Sequence, residues 1–301
     1  MGYRLGKRVG DKVFAWSLAA PSIICLIALS IYPFLTAVQS SFYNISTITR
    51  ETSFTGLDNY IWVLKSTLFW ESLKRSFIWV IPGVIIQLVL GIIFSLVLHQ
   101  ELKGQNIARG LVLFPYLIPA IVAAIVWRFM LNPTVGIINY LLVDVLHLLK
   151  NPLMWLMRPQ TALPAVILVG IWKFTPFMII LFLSRLQTTP LELYDAAKVD
   201  GADPLQLFWY ITFPWLMPVI VVALMLRTIW LFNDFDMVYL LAFGGPMHAT
   251  TTVPILIREA AFDQLRMGRS AAISMYLVVI LFIAAIGYIW AYSRAEEQVT
   301  N

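Results

Sequence analysis

Two basic residues lie in the middle of long apolar stretches, where a charge is rarely found without a role. Lys173 stands in GIWKFTPF and Arg227 stands in LMLRTIWLFNDF. A charge at the centre of a membrane-spanning helix costs about 2.5 to 3.5 kcal/mol on insertion scales, so both residues are functional candidates. The chemistry that they offer is binding, because an ammonium or guanidinium group attracts a counter-ion and donates hydrogen bonds to oxygen atoms.

The sequence contains no pattern typical of an enzyme or a metal site. It has no HExxH or GxSxG motif, and no pair of carboxylates falls within an apolar stretch. His99, His147 and His248 are far apart and do not have the spacing of metal ligands. The single cysteine, Cys25, excludes a disulfide within the chain. We therefore expect a protein that is not an enzyme and that binds no metal or cofactor itself.

The elements that must position the two cations are membrane helices. Of the 301 residues, 60% are hydrophobic and 12% are charged, whereas soluble domains have roughly 25% charged residues. The net charge of +5 does not indicate nucleic-acid binding, because the basic residues are scattered between apolar stretches. A helix needs about 20 apolar residues to cross the hydrocarbon core. Six stretches meet this requirement: 14–34, 77–98, 110–130, 163–183, 213–232 and 271–292. We predict an all-α integral membrane protein with six transmembrane helices in a single domain, 1–301.

The amino-terminal residues indicate the orientation. Four basic residues stand there against one acid, which places the amino terminus in the cytoplasm by the positive-inside rule. These residues are Arg4, Lys7, Arg8, Lys12 and Asp11. Six spans return the carboxyl terminus to the same side, so that the loop near residue 103 and the segment 185–210 are cytoplasmic. The loops 44–73, 132–160 and 233–269 are then external.

The longest polar segment joins the fourth and fifth apolar stretches and reads YDAAKVDGADPLQLFWYITFP, residues 194–214. Pro190 predicts a helix start, and a short helix over about 191–199 follows. Gly201 permits a sharp turn. Asp203 is placed to cap a second short helix that runs through Leu205 to Tyr210 and into Pro214 at the next span. A plain solvated loop is the alternative. The helical pattern and the apolar side chain of Trp209 instead favour a docking element, since water does not favour such side chains unless a partner covers them.

This segment carries a family resemblance. The segment contains Asp195-Ala196-Ala197, then Gly201 after three intervening residues, then Ile211, and Phe213-Pro214 after one more residue. This pattern is similar to the "EAA" signature of the membrane subunits of bacterial ATP-binding-cassette (ABC) importers. Asp195 replaces the usual Glu, and Phe213 replaces the usual Leu. GLDNYIWVLKSTLFWESLKRSFIWV and NDFDMVYLLAFGGPMHATTTVPILIREAAF resemble further blocks of the sugar-type permeases. The resemblance covers nearly the whole chain.

The resemblance implies a type I ABC importer permease fold in the bacterial inner membrane, with a cytoplasmic coupling helix within about 189–210. It implies a second, homologous permease, two ATPase subunits that bind ATP and Mg, an extracytoplasmic solute-binding protein and the surrounding lipid as partners, but no nucleic acid. Asp195 would meet a basic residue of the ATPase, and Gly201 would set the angle between the short helices. The implied coupling residues are Asp195, Ala196, Ala197, Gly201 and Asp203.

The same resemblance places a solute pathway on the two helices that flank the coupling segment, by similarity to maltose-type permeases. Spacings of three and four keep each set on one helix face. The implied pathway residues are Gly170, Lys173, Phe174, Phe177, Arg227, Trp230 and Leu231. The resemblance to sugar-type permeases implies that the solute is a carbohydrate or a related polyol, and aromatic rings at these positions suit stacking with sugars.

The two cations lead to a narrower hypothesis, that the solute is anionic, for example a phosphorylated polyol or an acidic sugar. The alternative is that Lys173 and Arg227 pair with Asp234 or Asp236, or reach into water. At the level of function, the alternative is a secondary transporter driven by an ion gradient, or a channel, which would transport without ATPase subunits.

Overall fold

The computed structural model describes residues 14, 16–46, 52–100 and 103–300, with side chains described up to residue 294. The four basic residues on which the predicted orientation depends, at positions 4, 7, 8 and 12, lie outside the described residues. In the part of the chain that is described, the secondary structure is almost entirely helical, with one two-stranded antiparallel sheet.

Five described helices are long and apolar enough to cross a membrane, and a sixth candidate is a helix pair bent by 94°. The five are Trp16–Ser41, Thr67–His99, Pro159–Leu186, Pro204–Phe232 and Met267–Arg294. The bent pair is Gln105–Leu117 and Ala120–Met130. All six predicted spans therefore have a counterpart, but the third, predicted as a continuous helix over 110–130, is broken.

Pro119 explains the break in the third span. A proline has no backbone N–H and disfavours helical geometry in the residue before it. Ile118 is accordingly extended, with ψ of 133°, and Pro119 has ψ of 140°. Hydropathy alone could not reveal this bend, because the sequence is apolar on both sides of it.

The helices are numbered here in chain order. They are α1 (Trp16–Ser41), α2 (Asp58–Lys65), α3 (Thr67–His99), α4 (Gln105–Leu117), α5 (Ala120–Met130), α6 (Ile137–Tyr140), α7 (Pro159–Leu186), α8 (Leu191–Val199), α9 (Pro204–Leu207), α10 (Phe213–Phe232), α11 (Asp236–Ala242), α12 (Val253–Arg258) and α13 (Met267–Thr300). Single π-helical turns occur at Ile27–Ile31, Leu141–Val145, Phe208–Thr212 and Glu259–Asp263. The strands are β1 (Tyr43–Ile45) and β2 (Thr52–Phe54).

The chain divides into two compact units. One contains the described residues up to Ser66 together with Ile257–Tyr276. In it, β1 pairs with β2, and the side-chain amide of Asn59 donates to the carbonyl oxygens of Ser41 and Tyr43, both at 2.9 Å. These bonds fix the chain as it leaves α1.

The other unit contains Thr67–Leu256 and the residues from Leu277 onward. Its core forms where α3, α7 and α10 pack together. Buried apolar side chains of α7 and α10 fill the centre: Met178, Phe182, Leu186, Leu216, Ile220 and Ala223. The helices α7 and α10, which carry the predicted pathway residues, are thus neighbours in this core, and α4 packs on α7.

Candidate functional site

Lys173 lies on α7 and closes the break between α4 and α5. Its ammonium group donates to the carbonyl oxygens of Pro115 at 2.9 Å and Tyr116 at 3.0 Å, and also to that of Ile118. These carbonyls have lost their helical partners because the helix stops there. An ammonium group has three donors, so all of them are used. Neither Asp234 nor Asp236 pairs directly with Lys173 among the described residues.

Arg227 lies on α10 and is buried, with 2% of its surface exposed. Its Nε donates to Oε1 of Gln87 on α3 at 3.0 Å, and its guanidinium carbon lies 4.5 Å from the ring centroid of Phe174. Stacking of a cation on an aromatic face offsets part of the cost of burial. Within the described residues, the Nη2 atom of Arg227 has no hydrogen-bond partner. The guanidinium therefore keeps a donor available.

A cavity of about 370 Å³ opens beside Arg227. Its wall combines aromatic rings, the guanidinium and two carboxyl groups; among the lining residues are Tyr116, Ala120, Phe174, Arg227, Trp230, Leu231, Asp234 and Asp236. The ring of Phe177 packs edge-on against Trp230 at 4.9 Å and supports the wall from behind. Aromatic faces with a few polar groups are typical of a small-molecule site.

Asp234 follows α10 directly and begins the turn into α11. Its carboxylate accepts the backbone N–H of Met237 at 3.0 Å. Burial raises the pKa of Asp234 to about 6, while the bond from Met237 and the positive charge of Arg227 act in the opposite direction. The cavity therefore contains a carboxyl group that changes charge close to neutral pH.

The predicted pathway residues do not all reach this cavity. Phe174, Arg227, Trp230 and Leu231 line it, whereas Lys173 binds the helix break. Gly170 packs instead against the six-membered ring of Trp79. A Cβ atom added at Gly170 would stand 2.8 Å from the Cζ3 atom of that ring. Gly170 permits the close approach of α3 and α7.

The predicted coupling segment has the form expected from the sequence over its first half. The helix α8 covers Leu191–Val199 as predicted, and Gly201 has a φ of +84° in the turn that follows. Asp203 forms a capping box with Gln206: the Asp203 carboxylate accepts the N–H of Gln206 at 2.8 Å, and the Gln206 side chain accepts the N–H of Asp203 at 2.9 Å. Both predicted turn residues therefore act as expected.

The second half of the segment runs into the next span, as predicted. The short helix that starts at Pro204 continues through a π-helical turn at Phe208–Thr212, which was not predicted, into α10, so that Pro204–Phe232 is one helical stretch. The hydroxyl groups of Tyr194 and Thr212 are 2.9 Å apart and join α8 to the start of this stretch. This contact links α8 to the helical stretch that carries Arg227.

The predicted coupling residues are accessible. Asp195 and Ala196 are exposed and Ala197 is half-buried, and Asp195 is 3.7 Å from the ammonium group of Lys198 in an exposed pair. Such a pair contributes little energy, so Asp195 remains free to exchange partners.

Sequence reasoning missed several residues in and around the site, including Tyr116 in the cavity wall. Gln87 holds Arg227, Trp79 covers Gly170, and Ala120 starts the helix at the cavity edge. A glutamine within the apolar run of α3 was a visible signal, since polar residues in spans are costly. No signal marked Ala120 or Trp79, since both are ordinary residues of an apolar helix.

Comparison with known proteins gives matches over almost the whole chain. Residues 87–294 match the family described as the binding-protein-dependent transport system inner membrane component. The inner membrane ABC transporter permease protein YcjO of Escherichia coli (strain K12) is 36% identical over 93% of this chain and 94% of its own. The trehalose/maltose transport system permease protein MalF of Thermococcus litoralis is 36% identical over 93% of each chain.

Two further matches extend this picture. The sulfoquinovosyl glycerol transport system permease protein SmoG of Agrobacterium fabrum is 32% identical over 89% of this chain and 87% of its own. A crystal structure of a bacterial ABC transporter that imports the acidic polysaccharide alginate has a chain with a TM-score of 0.82 at 20% identity, covering 98% of this chain and 99% of that one. At this identity the structural likeness concerns the fold alone.

Proposed function

Since the chain belongs to the family of inner membrane components of binding-protein-dependent transport systems, we propose that it forms, together with a second and similar permease, the membrane pathway of an ATP-driven importer of a carbohydrate or related polyol. The observation that carries the proposal is the accessible helix α8, joined through the Gly201 turn to the helix of Arg227, in a chain similar to sugar permeases over nearly its full length. The fold is that of a type I ABC importer permease.

The proposed transport cycle begins at α8. Two ATPase subunits in the cytoplasm bind ATP and Mg and hydrolyse the nucleotide, while this chain carries out no catalytic step. One ATPase receives α8 in a cleft, with Asp195 facing a basic residue and the small side chains of Ala196 and Ala197 allowing close approach. ATP binding then moves α8, and the rigid stretch Pro204–Phe232 transmits the movement to the pathway. Gly201 sets the angle between α8 and α9.

The proposed solute site is the cavity beside Arg227. The rings of Phe174 and Trp230 offer faces on which a sugar ring can stack. The Nη2 group of Arg227 donates to a solute oxygen, and the carboxyl group of Asp234 accepts from a hydroxyl. An extracytoplasmic binding protein delivers the solute, and both termini of this chain lie in the cytoplasm. Lys173 and Gly170 support the site without touching the solute.

Co-purification and reconstitution test the proposal. The tagged chain, isolated from its native host, is expected to bring down an ATPase and a second permease. In proteoliposomes with the binding protein present, uptake of a radiolabelled sugar from a panel of mono- and disaccharides should require hydrolysable ATP and should stop with a non-hydrolysable analogue. Uptake by the isolated chain under a proton or sodium gradient would instead identify a secondary transporter.

A further inference from the structure

The amino-terminal end of α5 lies at the edge of the cavity. Ala120 is the first residue of this 11-residue helix and lines the cavity. The N–H of Ala123 makes the first bond of the helix, to the carbonyl oxygen of Pro119 at 3.0 Å. The N–H groups of Ala120, Ile121 and Val122 come before it and have no partner within the helix. Such an end carries about half a positive charge and attracts anions.

The guanidinium of Arg227 is a second and independent donor at this cavity. It is 2% exposed and lines the same wall as Ala120. Gln87 occupies its Nε, and Phe174 covers one face of the group. The buried Nη2 atom has no acceptor within the described chain. A buried charged donor without an acceptor is costly, so an oxygen atom from outside the chain would complete the site.

Lys173 holds this arrangement open but does not bind in the cavity. Its three donors are taken up by carbonyl oxygens at the end of α4. These bonds fix the break at Ile118 and Pro119, and the break is what presents the start of α5 to the cavity. Broken helices with exposed amino-terminal ends are used by membrane transporters to hold anionic groups.

We propose that the start of α5 and the Nη2 group of Arg227 together bind an anionic oxygen group of the transported solute, such as a carboxylate, sulfonate or phosphate. The remaining wall fits the rest of an acidic sugar. Phe174 and Trp230 provide stacking faces, and the carboxyl groups of Asp234 and Asp236 accept hydrogen bonds from hydroxyls while repelling the anionic group toward the donors. This inference rests on the proposed function, because it names the solute class of the proposed site.

Titration of the permease–ATPase complex without its binding protein tests the inference. Glucuronate and glucose 6-phosphate serve as acidic probes and glucose as the neutral probe, with affinities from calorimetry. The acidic probes should bind the wild type at least tenfold more tightly than glucose. Ala120→Asp places a carboxylate at the start of α5 and should abolish this preference, while Ala120→Asn, of the same size but uncharged, should keep it. Arg227→Gln should weaken the acidic probes about tenfold.

Two results would overturn the inference: equal binding of glucose and both acidic probes by the wild type, or equal binding of the acidic probes by Ala120→Asp and Ala120→Asn. The two Ala120 variants change a half-exposed residue, so their comparison does not require a substitution of the buried Arg227. ATP-driven uptake of a neutral sugar by the same complex, reconstituted together with the binding protein, would leave the proposed function intact even if the acidic probes failed. A chain that assembles with no ATPase would instead overturn the proposed function.

Discussion

The ammonium group of Lys173 donates a 3.0 Å hydrogen bond to the main-chain carbonyl oxygen of Tyr116, on a helix that ends one residue later. This bond, with those to Pro115 and Ile118, makes Lys173 the cap of a broken membrane helix. A buried lysine on a predicted pathway helix thus holds the main chain at the helix break and is not among the residues that line the cavity.

Replacing Lys173 with methionine should therefore destabilise the protein. Three part-buried carbonyl groups would lose their donor. Because an unsatisfied group costs about 1 to 3 kcal/mol when it is fully buried, we expect a total loss of about 1 to 3 kcal/mol in the free energy of unfolding. Lys173→Arg should be intermediate, because a planar guanidinium does not reproduce the compact ammonium. Thermal unfolding of the purified protein measures the effect. The exposed Lys150→Met serves as the control, and weaker solute binding without any loss of stability would show that Lys173 is a solute ligand.

Substitution of Gly170 should also destabilise the protein, although Gly170 is not among the residues that line the cavity. Gly170→Ala would press a methyl group into the ring of Trp79, and overpacking of this kind costs about 1 to 3 kcal/mol. Gly110→Ala, in α4, is the matched control because an added Cβ there has no atom within 4 Å; it should be neutral or slightly stabilising. Thermal unfolding compares the two. A second change, Trp79→Phe, should recover part of the loss in Gly170→Ala, and no recovery would contradict the proposed contact.

Local turn chemistry explains why the coupling segment could be predicted so closely. Pro190 before α8, glycine in the turn and an aspartate cap are signals that act within a few residues, and the predicted bounds of α8 are correct. The continuation of the second helix into the next span was also predicted, but the π-helical turn within it was not. Thr212 lies in the π-helical turn that carries the helix through, and its hydroxyl donates to the carbonyl oxygen of Leu207 at 3.3 Å.

The candidate site was predicted less completely because its contacts join distant parts of the chain. Gln87 and Arg227 are 140 residues apart, and a single sequence does not reveal such pairs. The charges of Lys173 and Arg227 singled out both residues, but not their different roles. Those roles depend on the break at Pro119, whereas the sequence analysis predicted an unbroken helix over 110–130.

Gly201 should be essential for coupling but not for membrane insertion. Its φ of +84° lies in the left-handed region, which a β-branched residue adopts only with strain, although no neighbour lies within 4 Å of an added Cβ. Gly201→Val should thus change the angle between α8 and α9 and abolish stimulation of ATP hydrolysis by the loaded binding protein. ATPase assays in proteoliposomes measure this, and fluorescence of a fused reporter measures insertion.

Gly104 offers a matched control for Gly201. It has a φ of +83°, again with no neighbour within 4 Å, in the loop before α4. Gly104→Val introduces the same backbone strain outside the coupling segment and should leave stimulation largely intact. If both variants lose the stimulation of ATP hydrolysis equally, backbone strain in either loop is enough to cause the loss. The proposed role of Gly201 in setting the angle between α8 and α9 would then be wrong. Loss of insertion in Gly201→Val would point to a plain structural loop.

Asp234 should make solute binding depend on pH. Burial raises the pKa of its carboxyl group to about 6, so the group is ionised above this pH and neutral below it. Asp236, Arg227 and Lys173 act on it electrostatically, and of these only Asp236 adds negative charge. Protonation of Asp234 therefore removes one charge that repels an anionic solute. The affinity for glucuronate should rise severalfold as the pH falls from about 7.5 to about 5.5, and Asp234→Asn should show high affinity at both values.

The raised pKa of Asp234 also predicts how the stability of the folded protein depends on pH. The folded protein holds the proton of Asp234 more tightly than the unfolded chain, in which the pKa of this carboxyl group is near 3.8. The bound proton therefore stabilises the folded protein fully below about pH 4, and this stabilisation is lost as the pH rises through about 6. The unfolding temperature of the wild type should accordingly fall relative to that of Asp234→Asn across this window. The exposed Asp144→Asn, outside the cavity, should follow the wild type. Equal pH profiles for the wild type and Asp234→Asn, in both binding and unfolding, would mean that Asp234 is not the titrating group, because the substitution removes its proton from both measurements.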